Sequence, residues 1–196
     1  MTMFAARMLP MLAGIAIVAG LAGCENAVVV SGVDIAQGYS TDDLRRYGSG
    51  GNELRVDVVG DPFGDGANNT EVAVVNAMQG MTIGVPIAFA VEPKQEGSPP
   101  SRVVLFVNPR RLVGAESLCN PASPVTTNRS TDGKVRVSGA WCQSDFVMSS
   151  ANARVADADS LASENFQAMI AQLTIAMFPA QSPHYRSGFR LCQPFC

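Results

Sequence analysis

Polar and apolar residues alternate through Glu53-Leu54-Arg55-Val56-Asp57-Val58-Val59, the period-two pattern of a half-buried strand. Further along, Val103-Val104-Leu105-Phe106-Val107 is apolar throughout, as a central strand buried on both faces would be. Two more apolar stretches, Thr82 to Val91 and Lys134 to Cys142, read as strands, and Asp145 to Ser149 as a further short one. Helical spacing shows in two places. Val72, Val75 and Met78 share a face of a helix that Asn68, Asn69 or Thr70 can cap and Gly80 closes. Phe166, Met169, Ile170, Leu173 and Met177 line a longer helix within Leu161 to Phe178, capped by Ser160 or Ser163 and stopped by Pro179. The segment Gly60 to Gly66 is turn-rich. Glu92 to Ser101, rich in Pro, Gly and charge, reads as a surface hairpin loop between strands. The expectation is an α+β fold in two layers: a mainly antiparallel sheet of about four to five strands with two helices on one face.

The first 24 residues follow a different rule. Arg7 is their only charge, and an uncharged apolar run from Met8 to Ala22 follows it. A positive start, an apolar middle and small residues at the exit make a secretory signal. The run is short for a spanning helix, which needs about 20 residues, and Pro10 interrupts it. It ends in Leu21-Ala22-Gly23-Cys24, which resembles the lipobox of bacterial lipoproteins. An ordinary signal peptide would end in an A-x-A pattern instead. The resemblance implies cleavage before Cys24, a diacylglycerol thioether on its sulfur and acylation of the new amino terminus. It also implies anchoring to a membrane of the cell envelope. Glu25, where an Asp would favour inner-membrane retention, favours the periplasmic face of the outer membrane. The chain then divides into a signal peptide over 1–23, a lipidated N-terminus and leader over 24–52, and one domain over 53–196. Within the leader, Val28-Val29-Val30 can still pair as an edge strand.

Composition narrows the domain's class. The chain has 196 residues, 47% hydrophobic and 16% charged, with a net charge of −3. That is too apolar for a disordered chain and too lightly charged for a coiled coil. A domain of roughly 150 residues buries enough surface to fold without a metal. The basic residues are scattered, Arg45-Arg46 and Arg110-Arg111 being the longest runs. Nucleic acid is therefore not an expected partner. The phrases Gly60-Asp61-Pro62-Phe63, Phe106-Val107-Asn108-Pro109 and Met177-Phe178-Pro179 resemble stretches of uncharacterised proteobacterial envelope proteins, which implies no activity.

Five cysteines become four once Cys24 carries lipid. In an oxidising compartment Cys119, Cys142, Cys192 and Cys196 read as two disulfides. The favoured pairing is 119–142 with 192–196; the alternative bridges each tail cysteine to one of the other two. Zinc would want a second C-x₃-C, and thiol catalysis a C-x-x-C.

Candidate chemistry is sparse. The one histidine, His184, lies in a proline-rich tail, and no G-x-S-x-G supplies a nucleophile. Asp61, Asp65, Asn68, Asn69 and Glu71 are the oxygen-rich stretch that suits Ca²⁺. Phe63 breaks the EF-hand spacing, and a polar loop capping a helix accounts for the same residues, so no metal or other cofactor is expected. Asp57, Glu92 and Glu116 could serve a carboxylate-based hydrolase, though nothing singles them out. Arg110-Arg111 could touch a phosphate or lipid headgroup, with a solvated turn as the plainer reading. The favoured function is non-enzymatic binding or scaffolding of an envelope protein near the membrane. A small periplasmic hydrolase is the alternative.

Overall fold

The structure, a computed structural model, describes residues 28–97, 100–120 and 124–183. Its strands are β1 (Val29–Ile35), β2 (Leu54–Val59), β3 (Phe89–Ala90), β4 (Ser101–Val107), β5 (Val135–Gln143) and β6 (Phe146–Val155). Its helices are α1 (Thr41–Gly48), α2 (Ala67–Met78), α3 (Ala115–Cys119) and α4 (Glu164–Met177). The strands form one sheet in the order β1-β6-β5-β4-β2-β3. The fold is α+β, and among the described residues the sheet has six strands and the helices number four.

The sheet is mixed, which corrects the expected mainly antiparallel sheet of four to five strands with two helices. From β4 to β1 every pairing is antiparallel, but β2 runs parallel to both β4 and β3. The cause is the connection. From β2 the chain crosses over through α2 before re-entering the sheet, and a crossover returns a strand in the same direction. The expected strand over Thr82 to Val91 and its hairpin link to β4 are replaced by something shorter. Val85, Ile87 and Phe89 are buried in alternation, so the pattern is real, but only Phe89–Ala90 joins the sheet. Pro86 has no N–H to give, and Gly84 sits at φ +84°, so the preceding backbone cannot extend the ladder.

Five elements, β2, β4, β5, α2 and α4, lie close to their expected bounds. β4 has Val103, Leu105 and Val107 on one face and Val104 and Phe106 on the other, all buried. On α4, Phe166, Met169, Ile170, Leu173 and Met177 are all buried. Ser163 Oγ caps it by accepting from Phe166 N. α2 buries Val75 and Met78 but leaves Val72 exposed, because Val74 takes the inward position. The main core lies between one sheet face and α2 and α4. Trp141 is its centre, edge-on to Tyr39 and tilted against Phe178, with Nε1 donating to Ser101 Oγ at 2.7 Å.

Residues placed in the leader by sequence are part of this unit. β1 pairs with β6 along its length, shifted in register between Ser31 and Asp34 where Gly32 takes φ +59°. Leu44 and Tyr47 of α1 are buried in the main core. α1 is capped by Ser40 Oγ, which accepts from the amides of Asp42 and Asp43.

The opposite sheet face is covered only in its middle. There α3 packs on β5 and β6, and a second, smaller cluster joins Val104, Phe106, Leu118, Cys119, Ala140 and Cys142. A disulfide between Cys119 and Cys142, Cα atoms 5.5 Å apart, fastens α3 there. This is the favoured first pairing. Cys192 and Cys196 lie outside the described residues, as do Cys24 and His184.

Candidate functional site

The partly covered face has two open clefts, one at each end of the β1–β6–β5 side. Their construction follows from the hairpin that joins β5 and β6. The hairpin turns at Ser144-Asp145, with Ser144 at φ +54°. Its register sets Arg136 opposite Arg154, and β1 adds Val29 beside Arg154. All three point away from the core, so two guanidinium groups share one end of the open face.

A loop finishes that end. Asn108, at φ +53°, ends β4. Its N–H donates to the Arg136 carbonyl at 2.7 Å, and its Oδ1 accepts from Arg136 N. The chain then leaves and returns beside itself: Asn128 N donates to the Asn108 carbonyl, and Arg110 N to the Thr126 carbonyl. Gly60 makes this close approach possible. At φ +120° it lies so near Val107 that any Cβ would run into the Val107 carbonyl and Thr127. Ser130 N donates to the Pro62 carbonyl, carrying Arg129 to the rim. The result is a cleft of about 570 Å³ whose ionisable lining is Arg129, Lys134, Arg136, Arg154 and Asp132. Lys134 Nζ donates to Asp132 at 2.8 Å. That bond holds the Asp132 carboxyl below its ordinary range and the Lys134 ammonium above its own. Arg136 donates to the Arg110 carbonyl and lines the cleft.

The other end of the face is acidic. A cleft of about 620 Å³ is lined by Asp34, Glu116 and Asp145 with the exposed ring of Phe146. Val29 and Asp34 stand near opposite ends of β1, opposite Arg154 and Ser150 of β6. The two clefts are therefore about 13 Å apart along β6, at about 3.3 Å per residue.

The oxygen-rich stretch after β2 is built as a cap. Asp61 Oδ1 accepts from the amides of Gly64 and Asp65, and Oδ2 from Gly66 N. Gly66 is the N-cap of α2, so this loop closure sets where the helix begins. Desolvation pushes the Asp61 carboxyl up, but the amides of Gly66, Gly64 and Asp65 and the Arg129 charge outweigh it and hold it low. Asn69 Nδ2 donates to the Asp65 carbonyl, and Glu71 lies on α2. Among the described residues no three His, Cys, Asp or Glu side chains gather as a metal-ligand set.

Of the carboxylates considered from sequence, Asp57 is held between Arg55 (3.2 Å) and Arg102 (3.4 Å) on the sheet surface. Glu92 follows β3 at the sheet's far side, and Glu116 belongs to α3. The structure does not set the three around one cleft. Arg110 is exposed and donates from Nε to Asn128, and with Arg111 it lines a separate surface hollow beside Leu112. Sequence reading missed the basic cleft because its members are scattered. One signal was present: a hairpin folded about Ser144-Asp145 puts Arg136 opposite Arg154.

No protein-family model and no curated protein sequence matches this chain. Among solved structures it is similar to two of the PelC dodecamer from Paraburkholderia phytofirmans, one of them carrying a single leucine-to-methionine substitution. Each match has 14% identity and a TM-score of 0.41, and covers 79% of this chain and 100% of that one. At that distance the likeness carries no argument.

Proposed function

We propose that this chain is a cell-envelope lipoprotein, anchored through Cys24, whose domain works by binding or scaffolding rather than by chemistry. The observation that carries the reading is Leu21-Ala22-Gly23-Cys24, placed five residues ahead of β1. Acyl chains contribute about 0.8 kcal/mol per buried CH₂, so an acylated, thioether-linked Cys24 holds the chain to a bilayer durably. Among the described residues no helix is long and apolar enough to cross a membrane, and the lipid is the anchor this reading requires. Outer membrane, periplasmic face, is the site it favours, with an envelope protein as partner.

The binding role follows from how the polar groups are used. Asp61 caps a helix, and Asp57 joins a surface ion-pair group with Arg55, Arg102 and, through Arg55, Glu96. Hydrolysis at neutral pH wants an activated nucleophile, a tuned acid–base pair or a metal-bound water. The acidic cleft of Asp34, Glu116 and Asp145 is where a carboxylate hydrolase would have to work. The test is a turnover screen of the purified mature protein on glycosidase, esterase, peptidase and phosphatase substrates, beside crosslinking in intact cells. The account predicts no turnover and one envelope protein crosslinked reproducibly to the wild type. Turnover that Glu116→Gln or Asp145→Asn abolishes would overturn it.

A further inference from the structure

We propose that the cleft of Arg129, Arg136 and Arg154 binds the phosphate of an anionic phospholipid headgroup in the membrane that carries the anchor. This rests on the reading of Cys24 as lipidated.

Three observations converge. The first is charge and its shape. Lys134 is matched by Asp132 at 2.8 Å, and Arg129 faces the Asp61 carboxylate as well as the cleft. The Arg154 side chain makes no hydrogen bond or ion pair among the described residues, and the Arg136 side chain gives one bond to a carbonyl. Two planar guanidinium forks on residues paired in register suit the oxygens of a phosphate better than any single ammonium would. Val29, exposed beside them, supplies an apolar surface against which a glycerol backbone can lie.

The second is distance. Val29 lines the cleft and is the fifth residue after Cys24. Whatever path those residues take, they span at most about 18 Å. An acylated Cys24 lies at the bilayer interface, so headgroups reach the cleft at a high effective concentration. A site of modest intrinsic affinity is then filled.

The third is direction. The acidic cleft of Asp34, Glu116 and Asp145 lies at the other end of the same face. An anionic bilayer attracts the Val29 end and repels the Asp34 end. The domain is thereby oriented, basic end down, with the exposed Phe146 and the acidic cleft turned to the periplasm for a partner.

The test uses the mature chain, residues 24–196 with Cys24→Ser, which retains every described element. Its flotation is measured with vesicles of phosphatidylglycerol and phosphatidylcholine, and with phosphatidylcholine alone. The expected result is flotation only with phosphatidylglycerol. Arg154→Ala should weaken it about fivefold, and Arg136→Ala with Arg154→Ala about 30-fold. Arg45→Ala with Arg46→Ala, on α1, should leave it unchanged. Because Arg136 also bonds the Arg110 carbonyl, the single Arg154 variant stands as the test where the double variant unfolds. Flotation indifferent to Arg154 would overturn the proposal. So would calorimetric binding of glycerol 3-phosphate in the cleft with no vesicle flotation, which assigns the site to a soluble phosphate. Labelled palmitate fed to cells making the wild-type chain separates the two readings. Acylation without vesicle selectivity removes only this inference; vesicle selectivity without acylation removes only the anchor.

Discussion

At the scale of single residues, Asp61 shows how a site-like cluster is a structural device. Its two oxygens take the amides of Gly64, Asp65 and Gly66, closing the loop that leads into α2 and holding its N-cap residue in place. Asp61→Asn keeps one acceptor oxygen and loses the charge. It should cost about 1 kcal/mol at about pH 6, a figure its exposure to water keeps small. The sign of the pH dependence is fixed by the direction of the shift. The folded carboxyl titrates below its ordinary value of 3.8. Its contribution is therefore present above about pH 4 and is lost as the pH falls through the folded value. Urea unfolding of wild type and Asp61→Asn should differ at about pH 6 and draw together as the pH falls through the folded value. A gap that ignores pH would mean that the charge is not what the amides hold.

At the scale of elements, the disulfide is the part with the largest testable effect. Cys119 and Cys142 are 23 residues apart, and closing a loop of that length removes unfolded-chain entropy worth about 3 kcal/mol. Replacing both with Ser should lower the urea midpoint accordingly and expose Val104 and Phe106 as α3 lifts from the sheet. Hydrogen exchange at β4 and β5 reads the second effect. Unchanged exchange there would mean that Leu118 and the Arg102 bond to the Cys119 carbonyl hold α3 down without the disulfide. The elements legible in sequence were those whose pattern and backbone agree. β2 alternates, β4 is apolar on both faces, and α4 repeats at helical spacing. Those missed were set by something outside their own residues. β1 is interrupted by the shift at Gly32, so its alternation breaks. α1 is short and polar on most sides, with Leu44 and Tyr47 its inward residues. The Thr82 to Val91 segment alternates like a strand, yet Gly84 and Pro86 deny it a ladder. The parallel pairing of β2 and β4 depends on where α2 lands, which no local pattern records.

At the scale of the whole molecule, the proposed anchor at Cys24 and the open face are two parts of one reading. The Leu21 to Cys24 motif was legible because it is local; the clefts were not, because strand register makes them. Charges that look scattered along the chain are gathered on the open face, basic at the end where β1 begins and acidic at the other. The proposed orientation requires the domain to be held at a membrane surface, so it turns on Cys24. The most direct measurement is the intact mass, without reduction, of the protein extracted from membranes. The account predicts a chain beginning at Cys24 and heavier than its sequence by a diacylglycerol and a further acyl group. A chain of unmodified mass, whether starting at Met1 or at any other residue, would contradict it.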